Sequence, residues 1–283
     1  MEQALTETEN WWLSDATFTL NALLLTGYRE EAITWREWLV RAVAGSPEAL
    51  QILYSVTGQR RLDEYELGWL PGYGGTVPVR VGNAATKQFQ LDAFGEVMDT
   101  LHLARASGLE PEPTAWRIQV ALLRYLESNW QLPDEGIWEI GGSRRHFTHS
   151  KEMAWVAFYR AIKDAATFGL DGPVEVWRQV RDAIHAQVCE EGYDAQINTF
   201  VQSYGSPNLD AGLLLIPQGR LPASRRSTRV RNSRSNRVQP RRRWPGASLF
   251  DRNRCRRSTS GRRCISPLFN LVCRQPCVDW PPR

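Results

Sequence analysis

The sequence predicts an all-α domain of layered helical hairpins over residues 1–222, followed by a chemically different segment over residues 223–283. Two observations predict the first part. Apolar residues recur there at helical spacing, and turn residues separate the stretches of ~15–20 residues that show it. Charge sets the second part apart. Residues 225–283 hold 17 Arg, no Lys and two acidic residues, a net charge of +15, whereas residues 1–224 carry −11.

The first predicted hairpin covers two helices. Asp15 is placed to cap an apolar helix over 15–26, which ends at Gly27 because glycine readily adopts the left-handed conformation found after helices. A second helix is predicted over 29–44. Four large apolar residues lie on one face of this helix: Trp35, Trp38, Leu39 and Val43.

A long loop and four more helices follow. Residues 49–85 are rich in Gly and Tyr and are predicted as a loop with a strand near 51–57. Helical periodicity predicts four further helices: 88–106, 113–129, 150–167 and 174–188. A short helix from Asp210 to Ile216 is cut off by Pro217. Three tryptophans on the helical stripes are predicted to lie in the core: Trp116, Trp155 and Trp177.

The amino-acid composition indicates the cellular compartment and whether a metal or cofactor is expected. Cys189 is the only cysteine in residues 1–224, which provides no disulfide framework and fits a reducing cytoplasm. The N-terminus is acidic, without a signal pattern, and no apolar run approaches the ~18–20 residues that span a bilayer. The histidines have no second ligand at metal spacing: His102, His146, His149 and His185. We therefore expect a cytoplasmic protein with no metal, no cofactor and no membrane partner.

The most informative motif is Pro133–Glu139, followed by Gly141–Phe147. It places Trp138 and Glu139 side by side on a turn ahead of an amphipathic helix. A carboxyl group against a flat apolar wall can remain protonated near neutral pH and donate its proton. Together with the run Trp-Leu-Ser-Asp-Ala-Thr at 12–17, this motif resembles the family 15 glycoside hydrolases, which include glucoamylase, glucodextranase and bacterial trehalase-like enzymes.

The resemblance implies a fold and an activity. The fold is the (α/α)6 toroid, or glucoamylase-like six-hairpin fold, with its site at the mouth where loops converge. The chain would hold roughly the first two thirds of that catalytic domain. The implied reaction is inverting hydrolysis of an α-glucosidic bond, in trehalose or a malto-oligosaccharide. The resemblance assigns the general acid to Glu139; the alternative is that Glu139 caps the turn or pairs with Arg144 or Arg145.

Trp12 and Asp15 match a second family pattern, Trp-x-Arg-Asp, whose Arg-Asp pair grips hydroxyl groups of the sugar. Here Ser14 stands where arginine is expected. Arginine offers five donors in a rigid fork and serine offers one hydroxyl, so this departure should weaken sugar binding. Capping of a helix is an equal alternative for Asp15, and both roles can hold at once.

Further residues are candidates for substrate contact beside Trp138. Arg145 and His146 match a basic and aromatic run that follows the acid in trehalase-like members, where contact with substrate or phosphate is expected. For Arg144 we favour a solvated turn in which it pairs with local acids. Four residues of the long loop could form a wall of the site: Trp69, Tyr73, Arg80 and Asn83. Core packing is an equal alternative for Trp69.

The Arg-rich segment has two readings. As an evolved sequence it would be a disordered arm that binds nucleic acid through phosphates. The absence of Lys beside 17 Arg instead indicates a GC-rich gene read out of frame. Moved forward by one nucleotide, codons for Arg262–Asn270 permit Glu-Gly-Ala-Phe-Leu-Pro-Cys-Ser, a string that resembles the family segment carrying the general base. We therefore expect a frameshift near residues 217–225, nucleic-acid binding to be unlikely, and little activity in the chain as written.

Overall fold

The computed structural model describes residues 10–45, 47–110, 112–138 and 142–216. Glu139 and the predicted Arg-rich segment at 223–283 lie outside these described residues. The described part is mainly helical, as predicted. Its six long helices are α1 (Leu13–Thr26), α2 (Arg29–Val43), α3 (Asp92–Ala106), α4 (Pro113–Asn129), α5 (Thr148–Phe168) and α6 (Val174–Glu191).

The helices form two layers of antiparallel hairpins. α3 packs against both α1 and α5, so these three helices form one layer. α2 packs against α1 and α4, and α6 packs against α5, so the other three cover its outer side. Helices that alternate between an inner and an outer layer are the arrangement of an (α/α)6 toroid, and the described residues supply three hairpins of it.

Close backbone contact holds the inner layer together. Gly95 of α3 faces the backbone of α5, where a Cβ atom would lie 2.2 Å from the carbonyl oxygen of Met153. A side chain at this position would therefore force the two helices apart. The predicted core positions of Trp155 and Trp177 are confirmed by their burial, and Trp116 packs edge-on against Trp177 with ring centroids 5.9 Å apart.

A buried polar network links three helices beneath this core. Asp164 of α5 accepts hydrogen bonds from His102 and Arg105 of α3. Arg105 also donates to Gln119 of α4 and lies over the ring of Trp116, 5.3 Å from its centroid. All four side chains of the hydrogen-bonded network are at least nine-tenths buried. Buried charges are tolerated only when paired in this way.

The short strands within the described residues form three antiparallel pairs: β1 (Asn10–Trp12) with β2 (Leu53–Ser55), β3 (Tyr65–Leu67) with β4 (Val79–Val81), and β5 (Tyr193–Asp194) with β6 (Thr199–Phe200). The predicted strand near 51–57 is confirmed by β2. Its partner β1 leads directly into α1, with Trp12 opposite Leu53. The start of α1 is therefore fixed by the long loop.

The predicted starts of α1 and α3 differ from the structure. α1 begins at Leu13 with Trp12 as N-cap and no side-chain capping bond, so Asp15 lies in the first turn and the capping role expected for it is wrong. Its carboxylate still lies at the favourable end of the helix dipole. Gly27 ends the helix with φ +87°, as predicted. α3 begins at Asp92 rather than residue 88, because the preceding segment is hydrogen-bonded elsewhere.

The other helices match their predicted positions closely. α4 spans the predicted range, and α5 and α6 are slightly longer than predicted. The short helix expected from Asp210 to Ile216 is a single 3₁₀ turn, Ala211–Leu214. No helix in the part of the chain that the structure describes is long and apolar enough to cross a membrane.

Candidate active site at the mouth of the helical layers

The predicted site residues come from connections that gather at one end of the fold. Each hairpin turns at the far end, so the α2–α3 and α4–α5 connections lie at the end where α1, α3 and α5 begin. We call this end the mouth. Trp12 and Asp15 start α1, Arg80 and Asn83 lie in the first connection, and the residues around Trp138 lie in the second.

The segment Asp134–Trp138, here called the acid turn, is fixed at its start by backbone bonds. The N–H of Asp134 donates to the carbonyl oxygen of Arg145, and the reverse bond is also made, each at 2.9 Å. Gly136 has φ +70°, and a Cβ atom there would lie 2.7 Å from the ring of Phe147. Glycine is therefore required for the chain to turn above this ring.

The acid turn is also bonded to the residues before α3. The N–H of Phe89 donates to the Glu135 carboxylate at 2.8 Å, and the N–H of Glu135 donates back to the Phe89 carbonyl at 3.1 Å. The N–H of Leu91 donates to the Asp134 carboxylate at 3.0 Å. These bonds engage the N–H groups of Phe89 and Leu91 outside the helix and explain the late start of α3. Arg144 pairs with Glu135 at 2.9 Å, which confirms its expected pairing with a local acid.

Asp210 fixes the far end of the acid turn. Its Oδ1 accepts from the indole Nε1 of Trp138 at 2.7 Å and from the N–H of Gly212 at 2.6 Å. Its Oδ2 accepts from Gln202 Nε2 at 2.7 Å. One carboxylate thus caps the 3₁₀ turn and orients an indole ring that remains 53% exposed. Glu139, the predicted acid, follows Trp138 directly in sequence but lies outside the described residues, as do Ile140 and Gly141.

His149 lies behind the indole ring. It lines a cavity of about 10 Å³ together with Trp138 and Asp210. Neither ring nitrogen has a hydrogen-bond partner among the described residues, and the side chain is buried. Burial lowers the pKa of His149 to about 4, although the charge of Asp210 acts in the opposite direction. The imidazole is therefore neutral at pH 7.

The buried side chains of Asp134 and Lys151 lie near the start of the acid turn. Lys151 donates from Nζ to the carbonyl oxygens of Trp130 and Leu132, each at 2.5 Å. Burial raises the pKa of Asp134 to about 6 against the opposing effects of its hydrogen bonds and of Lys151. Burial lowers the pKa of Lys151 to about 8. Desolvation therefore disfavours the charged form of both side chains.

The ionisation of Asp134 and that of His149 are expected to change the free energy of unfolding in opposite directions as the pH rises. The folded protein holds the Asp134 proton more tightly than the unfolded chain, so this stabilisation is present below about pH 4 and is lost as the pH rises to about 6. The folded protein disfavours protonated His149, so that contribution is present above about pH 6.5 and is lost as the pH falls to about 4. The two effects oppose each other in the natural chain.

Single substitutions should separate these effects. Relative to the natural chain, the free energy of unfolding of His149→Gln should fall between pH 4 and 6, and that of Asp134→Asn should rise, each by up to about 3 kcal/mol. Urea denaturation at intervals from pH 4 to 7 measures both slopes. The surface variant Asp182→Asn is the control and should parallel the natural chain. Parallel curves for His149→Gln or Asp134→Asn would contradict the assignment of these pKa values.

Trp12 and Asp15 lie on the inner layer. Trp12 is half-buried in its strand pair, and Asp15 is exposed at the mouth end of α1. The buried carboxyl group of Glu96, on the neighbouring inner helix α3, was not predicted. Burial raises its pKa well above the ordinary value, and the charges of Asp92, Asp15 and Asp99 raise it further. Acids at 92, 96 and 99, on one face of a helix with otherwise apolar spacing, were the signal that could have identified it.

The remaining predicted residues make mostly local contacts. Arg80 pairs with Glu66 at 3.3 Å across the β3–β4 ladder, and Asn83 caps a 3₁₀ turn by accepting from the N–H of Ala85 at 2.9 Å. Arg145 is exposed. His146 stacks on Tyr204 with ring centroids 5.7 Å apart, and burial lowers its pKa.

Two aromatic residues of the long loop face solvent. Trp69 is 70% exposed, and Tyr73 is fully exposed. Core packing, one of two alternatives for Trp69, is therefore wrong. Among the described residues, no group of three or more His, Cys, Asp or Glu is arranged to hold a metal ion.

The described residues thus form three helical hairpins in two layers, with an indole ring and acidic groups at one end. Comparison with known proteins gives the family. The chain belongs to the glycosyl hydrolases family 15, whose profile matches residues 8–238. This confirms the resemblance predicted from the acid motif and the tryptophan–aspartate motif.

The relatives and solved structures agree with this family. A trehalase of Thermoplasma acidophilum is 32% identical over 79% of this chain and 39% of its own length. A trehalase of Mycobacterium tuberculosis is 36% identical over 79% of this chain and 34% of its own length. The chain therefore spans well under half the length of these curated relatives. A glycosidase solved in complex with glucose has a TM-score of 0.54 and 22% identity over 75% of this chain and 56% of that one, so it shares the fold.

Proposed function

We propose that this chain carries the general-acid half of an inverting α-glucosidase site of the trehalase type. Family membership and the names of the relatives support this class of reaction. The observation that carries the proposal is the acid turn, which is bonded to Phe89, Leu91, Arg145 and Asp210 and leads directly into Glu139. Catalytic groups need such fixed positions, since a displacement of about 1 Å can cost ~10²-fold in rate.

In the proposed reaction Glu139 donates its proton to the bridging oxygen as the glycosidic bond breaks. Because Trp138 directly precedes Glu139 in sequence, we propose that its indole supplies the apolar surface that keeps the acid protonated near neutral pH. Water attacks the anomeric carbon from the opposite face, activated by a second carboxylate ~6.5–9.5 Å away. Trp12 and Asp15 bind the sugar ring and its hydroxyl groups, more weakly than an Arg-Asp pair because Ser14 has a single donor.

We propose trehalose as the first substrate to examine and a malto-oligosaccharide as the second. The curated relatives are named trehalases, and the glycosidase of similar fold was solved in complex with glucose. Both candidates present a terminal α-glucose unit to the mouth. We place the protein in the cytoplasm because residues 1–224 contain a single cysteine, Cys189.

We further propose that the chain is translated out of frame from a point near residues 217–225, which removes the second carboxylate. The natural chain is then expected to release little glucose from trehalose. A gene corrected by one nucleotide at that point should encode an active enzyme. A coupled glucose assay on both proteins, with maltose as the parallel substrate, measures the difference. Release from neither substrate by the corrected protein would count against the proposed activity.

The alternative for residues 225–283 is a nucleic-acid-binding arm, which their net charge of +15 favours. This alternative predicts salt-sensitive association of the natural chain with DNA, lost on truncation after residue 224. Resequencing the gene distinguishes the two. An uninterrupted frame that encodes the Arg-rich segment, together with a tail peptide found by mass spectrometry in natural material, would overturn the frameshift proposal.

A further inference from the structure

No step of the proposed reaction uses the buried carboxyl group of Glu96. Its side chain on α3 is 7% exposed. Burial raises the pKa of Glu96 well above its ordinary value, and the negative charges of Asp92, Asp15 and Asp99 raise it further. An ionised group at this position would be desolvated beside charges of its own sign. These surroundings favour the neutral acid, which carries a proton that it can donate.

The geometry of α3 places Glu96 on the inner wall of the helical layers. Arg105 follows nine positions later, about two and a half helical turns, and therefore lies on the opposite side of the helix. Arg105 donates to Gln119 of the outer helix α4, so Glu96 lies on the side that faces away from α4. Asp99, one turn beyond Glu96 on the same side, bonds to Arg160 of α5.

Asp15 lies at a matching level on the neighbouring inner helix. It is the third residue of α1, and Glu96 is the fifth residue of α3. Both helices begin at the mouth and pack against each other. Since each residue adds 1.5 Å along a helix, both acids lie within the first two turns from the mouth. Asp15 is exposed and Glu96 is buried, so the protonated group lies deeper in the wall.

Of the three neighbouring acids, Asp15 is the best acceptor for the proton of Glu96. Asp99 is already paired with Arg160. Asp92 is 2% exposed, and burial disfavours a negative charge there. Solvent stabilises the negative charge of the exposed Asp15 carboxylate. Hydrogen bonds from a neutral O–H group to an ionised oxygen are about twice as strong as those between neutral groups. The strongest bond open to Glu96 therefore joins α3 to α1.

We propose that Glu96 is a positioning residue for Asp15: its neutral carboxyl group donates a hydrogen bond to the Asp15 carboxylate and holds that carboxylate at the mouth. The inference rests on the proposed function for the role of Asp15 in binding sugar hydroxyl groups. It adds the group that orients Asp15 before the sugar arrives. Glu96 itself does not need to touch the sugar, because it acts through Asp15.

Infrared difference spectroscopy of the natural full-length chain at pH 7 tests the hydrogen bond. The C=O stretch of a protonated carboxyl group is separate from the bands of ionised carboxylates. Glu96→Gln should remove one such band, and Asp15→Asn should shift that band more than Asp92→Asn does. Glu190→Gln, at an exposed position on α6, is the matched control and should leave the band unchanged. No band lost in Glu96→Gln, or a band that Asp15→Asn leaves in place, would overturn the proposal.

Calorimetric titration of the same chain with glucose tests the positioning role. Glu96→Gln keeps an N–H donor and should bind glucose within about twofold of the natural chain. Glu96→Leu has no donor and should bind about 3- to 10-fold more weakly, while Glu190→Leu should bind normally. Circular dichroism confirms that each variant is folded.

The two measurements separate failure of the positioning role from failure of the proposed sugar site. Equal affinities for Glu96→Leu and the natural chain, or equal losses in Glu96→Gln and Glu96→Leu, would overturn the positioning role. If the natural chain fails to bind glucose while the infrared band still depends on Asp15, the hydrogen bond is supported and the proposed sugar-binding role of Asp15 fails.

Discussion

Replacing Asp164 by alanine is expected to lower the free energy of unfolding by about 3–5 kcal/mol, the usual cost of breaking a buried ion pair. Asp164 is fully buried and accepts hydrogen bonds from both His102 and Arg105. Without it, the buried Arg105 guanidinium would keep the Gln119 hydrogen bond and the Trp116 ring but would lose its charged partner. The change also removes the bond that joins α5 to α3 at this level.

Urea or guanidinium denaturation followed by circular dichroism measures this loss. Asp182→Ala is the matched control, because Asp182 pairs with Arg181 on the exposed side of α6 at 2.7 Å. Surface pairs of this kind contribute ~0–1 kcal/mol, so the control should unfold near the natural chain. Equal free energies of unfolding for the two variants would show that Asp164 contributes no more to stability than a surface aspartate.

In a protein with the reading frame corrected, Glu139→Gln is expected to reduce kcat for trehalose by about 10²–10⁴-fold, the usual contribution of general acid catalysis. Glutamine has nearly the same shape and cannot donate a proton to the departing oxygen. KM should change little, because sugar binding is assigned to Trp12 and Asp15. Steady-state kinetics over a range of pH measures both constants, and the alkaline limb of the pH profile should disappear in the variant.

The matched control is Glu190→Gln, which makes the same chemical change at an exposed position on α6. It should retain the full kcat. A substrate with an activated leaving group, such as a nitrophenyl α-glucoside, should lose less activity in Glu139→Gln because its departure needs little protonation. Equal losses of kcat on both substrates, or a normal kcat of Glu139→Gln for trehalose, would show that Glu139 is not the general acid.

Much of the fold was accessible from the sequence because helices follow local rules. The range of α4 was predicted fully, since proline at its start and apolar spacing along it are local signals. The start of α3 was not, because the N–H groups of Phe89 and Leu91 donate to the carboxylates of Glu135 and Asp134, more than forty positions later in the chain. Periodicity contains no information on such contacts.

The candidate site was partly accessible for the same reason. Trp138 and Glu139 are adjacent in sequence, so one motif was sufficient to propose them. The partnership of Trp138 with Asp210 was missed, although an aspartate ahead of a short helical turn is a recognisable cap. The buried Glu96 was missed because its raised pKa depends on burial and on the charge of Asp15 in another helix.

The Trp138–Asp210 hydrogen bond has a consequence for the order in which the protein is made. The two residues are 72 positions apart. At ~5–20 residues per second, the ribosome adds Asp210 roughly 4–14 s after Trp138. During that interval the indole has no carboxylate to hold it, so a nascent chain paused before residue 210 would be expected to leave the ring mobile and open to proteolysis nearby. The Trp138–Asp210 hydrogen bond can therefore form only after the segment that follows α6 has been synthesised.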